Sequence, residues 1–200
     1  MKKIFILFTM LIATLGVSAD NASDARKILD KTAAVVGHKG GAQASFMITN
    51  PKTGVQTGTI AIKGNKFCAN TNKATMWYDG KTQWLLMKSN NEVNISTPAP
   101  AKQQQMNPYT FLSLYKKGYT LSMKSSGKTR VVHMVAQQKG SIPELYVTVD
   151  ENGVPKQVRL KSGSGWTTIV ISNFQAKKLS DGAFVFNSKD YPKAEVIDLR

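Results

Sequence analysis

Two histidines, one cysteine and one pair of adjacent carboxylates are the residues of this 200-residue chain best suited to chemistry, and their spacing argues against it. His38 and His133 stand far apart with no further ligand at metal-binding spacing from either, so a zinc-type site is not expected. Cys68 is the only cysteine, offers no intrachain disulfide, and reads as a small buried apolar side chain rather than a reactive thiol. Asp150 and Glu151 are neighbours, which in a strand would face opposite ways and in a turn would be solvated, so they make no acid/base couple. Serines are common, yet none lies in a glycine-flanked strand-to-helix elbow. An enzyme is not expected, nor is a metal or a cofactor, and function falls to a surface or a cavity.

The elements available to shape such a cavity are mostly strands. Asp79-Gly80-Lys81-Thr82 is a polar turn between Thr75-Met76-Trp77-Tyr78 and Gln83-Trp84-Leu85-Leu86, and aspartate and glycine tolerate the positive φ of a tight hairpin. Period-two runs start at Ala42 and include Phe46, Ile48, Thr59 to Ile62 and Phe67, with turns at Pro51 to Gly54 and Gly64-Asn65. They resume at Tyr119 to Met123, Arg130 to Ala136, Leu145 to Val149, Gln157 to Leu160 and Thr167 to Phe174, with Phe184 to Phe186 as a last short strand. Two helices interrupt the pattern. Ser23 reads as an N-cap ahead of Ala25, Ile28, Leu29, Thr32, Ala33 and Val36, a stripe at helical spacing that stops at Gly37. A polar, proline-containing loop from Thr97 to Gln105 leads to Asn107-Pro108, which opens a short apolar helix through Phe111, Leu112, Leu114 and Tyr115 to Gly118. No fixed repeat and no internal boundary divides the chain. The fold class expected is mainly β (α+β): a strongly curved antiparallel sheet forming an incomplete β-barrel with a helical lid.

Met1-Lys2-Lys3, an apolar run of 14 residues from Ile4 to Val17, and Val17-Ser18-Ala19 read as a signal peptide cleaved near Ala19. Residues 20–200 are then one exported domain. That run is shorter than the roughly 20 residues of a membrane-spanning helix, so a mature protein soluble outside the cytoplasm is expected. Losing Lys2 and Lys3 lowers the formal charge from +15 to +13, an excess suited to anionic partners such as membrane head groups or an acidic protein surface. Nucleic acid is not a partner expected outside the cell.

What remains is a surplus of large apolar side chains, among them Trp77, Tyr78, Trp84, Leu86, Met87, Phe111, Leu114, Tyr115, Met123 and Met134. Singly they suit an ordinary core. As a set they also suit a cavity for a flexible apolar ligand, since methionine and aromatic linings adapt. Ala44-Ser45-Phe46, Gly58 to Lys63 and Tyr78-Asp79-Gly80-Lys81-Thr82-Gln83-Trp84 together resemble the periplasmic outer-membrane lipoprotein carrier family, LolA-like proteins. Asn107 to Leu112 resembles that family's lid helix, Gly153 to Gln157 its late hairpin, and Ala183 to Phe186 its terminal strand.

The resemblance implies a half-barrel chaperone that takes lipoproteins by their acyl chains from an inner-membrane lipoprotein-releasing ABC transporter and yields them to an outer-membrane acceptor. Exposing acyl chain to water costs about 0.8 kcal/mol per methylene, so a roughly fifteen-methylene chain needs a shield to cross an aqueous gap. On this reading, alternation places Phe46, Ile60, Ile62, Trp84 and Leu86 on the cavity face, with Ile28, Phe111 and Leu114 supplied by the lid. In the family an arginine followed by proline ties the empty lid after the second strand. Here Lys63 stands there as the lid-lock candidate, followed by Gly64. The expected carrier is a monomer. Alternatives from other classes are an envelope lipid- or lipoprotein-binding sensor without a transport role, an enzyme on a hydrophobic substrate, and a structural surface protein.

Overall fold

The computed structural model describes residues 16–99, 114–140, 142–163 and 165–200, with side chains from residue 21 onward. Most of the leader, the Pro100 end of the loop and the start of the second helix, including Phe111, lie outside these residues.

One helix, α1 (Gly16–Val36), precedes twelve strands: β1 (Ala42–Asn50), β2 (Gly54–Lys63), β3 (Lys66–Thr71), β4 (Ala74–Tyr78), β5 (Gln83–Met87), β6 (Glu92–Ser96), β7 (Tyr119–Ser126), β8 (Thr129–Ala136), β9 (Glu144–Asp150), β10 (Pro155–Ser162), β11 (Gly165–Ala176) and β12 (Glu195–Asp198). They form a single sheet in the order β12-β6-β5-β4-β3-β2-β1-β11-β10-β9-β8-β7. The two ends do not meet, so the sheet is an open barrel. Two hairpin meanders are joined where β1 pairs β11 antiparallel, a contact no local signal announces. The final strand β12 runs parallel to β6.

Turn chemistry sets the register. Asp79 Oδ1 accepts from the Lys81 and Thr82 amides at 2.8 and 2.7 Å, and Gly80 sits at φ 101°, so Tyr78 pairs with Gln83. Asp150 repeats the device with the Asn152 and Val154 amides, both at 2.9 Å.

Cross-strand partners share a face of a sheet, so the pairing decides which residues look inward. The concave face carries Leu121, Val132, Met134, Leu145, Val147 and Val149, all buried, and α1 lays Ala25 and Leu29 on them. Val36, at the end of α1, meets Ile62, Phe67 and Tyr78. These helix positions are the stripe visible in the sequence. Its start differs: α1 begins at Gly16, so Ser23 is an exposed residue inside the helix and no N-cap. Nothing between Val17 and Asn21 breaks a helix, and Ala19 and Ala22 favour one. Removing residues 1–19 would trim its first turn.

Tyr115, in a 3-10 turn at Leu114–Lys116, is 1% exposed, and its hydroxyl donates to Asp30 Oδ1 at 2.5 Å. Burial, then the Asp30 hydrogen bond, pushes the phenol well above its usual range. This contact clips the segment before β7 to α1. Tyr115→Phe is expected to lower unfolding free energy by about 1.5–3 kcal/mol, the range for a hydrogen bond to a charged group, read by urea denaturation.

The C-terminal segment crosses the outer face instead of adding a strand at Phe184 to Phe186. Asp181–Phe184 is a 3-10 turn, because β3 and β4 beneath it already have both edges paired. Phe186 and Tyr191 pack on Trp77 with ring centroids 5.6 and 5.5 Å away, and Trp84, Leu86 and Val93 complete this outer cluster.

Candidate functional site

Between the two concave clusters the described residues leave the apolar face uncovered, and a cavity of about 290 Å³ opens there. This is near the lower edge of the ~300–1,000 Å³ usual for small-ligand sites. Strand β1 supplies Ala42, Ala44, Phe46 and Ile48, β2 supplies Ile60 and Ile62, and Ala69 comes from β3. From the other meander come Val147, Pro155, Val158, Ile169, Ile171 and Phe174, while Val36 closes the helix side. The register explains the convergence: Phe46 pairs with Ile171, Ile48 with Ile169, and Val158 with Ile169. Gly58 pairs with Phe46, leaving room for the ring against the strand.

Among the described residues no titratable side chain lines this cavity, and Gln43 and Ser45 are its only polar contributors. It offers nothing to bind a charge or move a proton. It can hold an apolar group and exclude water, at a gain of roughly 25 cal/mol per Å² of apolar surface covered. Among the described residues, no cluster of three His, Cys, Asp or Glu is placed to hold a metal.

Three of the residues expected on the cavity face, Phe46, Ile60 and Ile62, come together here. Trp84 and Leu86 do not. Trp84 pairs with Trp77, Trp77 with Cys68, and Cys68 with Ala61, so all four share the face opposite Ile60 and Ile62. The four-residue turn after Tyr78 reverses the parity, and Leu85, paired with Met76, is the inward residue of β5. Ile28 and Leu114 pack against the β7–β9 cluster rather than lining the cavity. Phe111 lies outside the described residues.

Lys63 follows inward-facing Ile62 by one residue, so it points to the outer face. Its ammonium donates to Leu179 O at 2.9 Å and Asp181 Oδ1 at 3.0 Å, tying down the C-terminal segment, while the start of the lid helix it was expected to hold lies outside the described residues. Lys66 joins the same carboxylate at 3.3 Å. The Lys63 hydrogen bond, then that of Lys66, holds the Asp181 carboxyl below its ordinary range. A depressed carboxylate pKa stabilises the fold above the unfolded value, about 3.9, and the gain is lost as pH falls through the folded value. The melting-temperature gap between the protein and Asp181→Asn is therefore expected to be present at pH 6–7 and to close toward pH 3. A gap that does not narrow at all as the pH falls below about 3.9 would mean that charge pairing is not the cause.

The remaining reactive residues are engaged elsewhere. Burial pushes the Cys68 thiol up to about 11, away from nucleophilic use. His38 Nδ1 accepts from the Gly40 amide at 3.1 Å. On the outer face, His133 stacks on Tyr146 at 4.2 Å and contacts Glu144 Oε1 at 2.9 Å.

Sequence reasoning missed Val36, Ala42, Ala44, Ile48 and Ala69 beside the residues it did place, and all of those from β9 to β11. Ile169 and Ile171 alternate visibly, but their placement beside β1 depends on a pairing across more than a hundred residues.

Residues 15–164, three quarters of the chain, match the family described as outer membrane lipoprotein carrier protein LolA. Among solved structures, an uncharacterized conserved protein from Thermus thermophilus is similar at TM-score 0.60 and 11% identity, covering 88% of this chain and 99% of its own. MucB is similar at TM-score 0.52 and 12% identity, over 83% of this chain and 64% of MucB. A LolA superfamily protein from Nitrosomonas europaea aligns at TM-score 0.42 and 13% identity, over 81% and 97% of the two chains. No curated protein matches the sequence.

Proposed function

The chain belongs to the outer membrane lipoprotein carrier protein LolA family, and from that premise we propose that it shelters lipoprotein acyl chains in the cavity between α1 and β1. The observation that carries this reading is a wall of aliphatic side chains and one phenylalanine from each meander, with no ionisable group, facing an open space inside a half-barrel. In a filled core those side chains would meet one another; here, among the described residues, a space remains between them. Among the described residues the wall holds no nucleophile, base or metal ligand, which suits a carrier.

The finer reading is transit. The protein works in the periplasm after losing residues 1–19, receives lipoproteins from an inner-membrane ATP-driven transporter, and releases them to an outer-membrane acceptor. A largely apolar pocket suits release, because among the described residues it offers no ion pair that must be broken.

Native mass spectrometry with lipid extraction, on protein purified without detergent from its own host, tests this directly. Bound triacylated lipoprotein is the expected result. Free lipid alone would replace transit with lipid binding or sensing, and a protein that is always empty and ignores fluorescent acyl probes would end the proposal.

A further inference from the structure

The outer face of the second meander carries a row of rings where a solvated sheet face usually carries threonine, lysine and glutamate. His133 on β8, Tyr146 on β9, Arg159 on β10 and Thr168 on β11 stand opposite one another in register, with Trp166 two residues along β11 on the same face. The His133 and Tyr146 rings are stacked at 4.2 Å, and the Tyr146 and Trp166 rings are 5.8 Å apart. The Arg159 guanidinium lies 5.0 Å from the Trp166 ring centre and 5.9 Å from that of Tyr146, inside the roughly 6 Å at which a ring holds a cation.

This guanidinium is positioned but not satisfied. Of the four arginines in the chain, Arg26 donates to Tyr115 O, Arg130 to Gly127 O and Thr129 O, and Arg200 to Asp198. Among the described residues Arg159 has neither a hydrogen-bond acceptor nor a carboxylate, and it is exposed, so its N–H donors face water. The carboxylates of the same face are already engaged. Glu144 is held by Tyr146, His133 and Lys161, and Asp150 by Lys156 and its own turn amides. Exposed lysines outside any ion pair among the described residues, such as Lys39, Lys52, Lys81 and Lys139, occur all round the molecule, so charge by itself selects no face. The stacked guanidinium does.

The face around it is open and wide. Val135, Met47 and Val55 point outward from β8, β1 and β2 and are 42%, 41% and 63% exposed. Between β8 and β2 the sheet order places β9, β10, β11 and β1 side by side. At about 4.8 Å per strand and about 3.4 Å per residue over strands of eight residues, this face measures about 29 by 27 Å. That is close to the roughly 800 Å² each partner gives to a stable interface. Tryptophan, tyrosine, arginine and methionine are the residues enriched in protein interfaces. A sugar would instead need an open ring face, and Tyr146 has His133 and Arg159 against it from the strands on either side.

We propose that the outer face of β8 to β11 docks an acidic protein partner, one of whose carboxylates is received by Arg159. A carboxylate accepts two parallel N–H bonds from a guanidinium, and the rings orient its plane in advance, so less side-chain freedom is lost on binding. The surface lies on the side of the sheet opposite the apolar cavity, so a partner there leaves the cavity open. The docking does not rest on the carrier reading.

The test is selection of a phage-displayed library of random peptides, about a dozen residues long, on the host-purified protein, with the recovered sequences then measured as labelled synthetic peptides by fluorescence anisotropy. Recovered peptides are expected to carry aspartate or glutamate beside an apolar residue. Replacing that carboxylate by its amide, or Arg159→Gln in the protein, is expected to weaken binding at least tenfold, and the two together little more than either alone. The peptide-side replacement reads the same contact without touching the protein. Arg159→Lys keeps the charge but not the fork and is expected to lose at least fivefold, while Lys81→Gln, at the turn before β5, stays within about twofold. Circular dichroism and acyl-probe affinity, unchanged in each variant, report that fold and cavity are intact. No enriched peptide, enrichment without a carboxylate, or full retention by Arg159→Gln or Arg159→Lys would overturn the proposal. Arg159-dependent sedimentation with phosphatidylglycerol vesicles in the absence of any selected peptide would also overturn it and assign the face to a lipid surface.

Discussion

Phe46→Asp is expected to weaken binding of a fluorescent acyl probe by roughly a hundredfold, about 3 kcal/mol, because a carboxylate on the cavity wall must be desolvated when the chain enters. Phe46 sits among Ile48, Ile60 and Ile171, and among the described residues no cation in the lining can pair with the new charge. An empty cavity leaves the aspartate hydrated, so the cost falls on the loaded state more than on folding. Trp84→Ala is the converse. That indole packs in the outer cluster with Trp77, Leu86 and Val93, so its loss is expected to cost about 2–4 kcal/mol of stability and leave probe affinity within about twofold. Titration of the probe and urea unfolding on both variants give the four numbers needed. Probe affinity falling as far in Trp84→Ala as in Phe46→Asp would refute the assignment of faces.

That assignment shows how far the residues could be read without the fold. Strand existence was plain, since alternation and turn chemistry are local: the Asp79 and Asp150 side chains build their own turns wherever they occur. Facing is cumulative. Even-numbered residues look inward on β1 and β2, as Phe46 and Ile60 do. A two-residue turn then pairs Lys63 with Lys66, so odd-numbered Phe67 and Ala69 are inward on β3. Each later hairpin reverses parity again, which brings Leu85 inward and sends Trp84 outward. A reading that begins at Ile60 and carries an even count to β5 misses one reversal, and one is enough to exchange the faces. The outer tryptophans drew notice because they are large, yet the wall is built from small and branched residues that look ordinary one at a time. Val147, Pro155, Val158, Ile169, Ile171 and Phe174 of that wall lie on β9 to β11, and only the β1–β11 pairing brings them into place. The C-terminal course was hidden for a similar reason. Phe184 and Phe186 have strand-like composition, but whether an edge is free to receive them depends on the whole sheet.

The second large effect follows from how closely β1, β2 and β3 approach at the cavity. Gly58→Ala is expected to lower stability by about 3 kcal/mol, a fall of roughly 6–12 °C in Tm for a chain of this size, and to reduce probe affinity at least tenfold. A Cβ at Gly58 would lie 2.3 Å from Asn70 O and 2.7 Å from Phe46 Cζ. The first contact is with backbone of β3, so relief requires the two strands to part and their ladder to weaken. The second pushes the Phe46 ring off the strand and into the space meant for a guest. The two contributions separate in Gly58→Ala/Phe46→Leu, where the smaller side chain removes the ring contact and leaves the carbonyl contact. Stability recovering by less than about 1 kcal/mol would place the strain in the backbone approach, and full recovery would place it in the ring. Gly140→Ala is the control, since a Cβ there meets nothing within 4 Å and stability should hold within about 0.5 kcal/mol. Should Gly58→Ala prove as mild as that control, the strands are farther apart than drawn, and the cavity wall would have to be set further from Phe46 than its pairing with Gly58 allows.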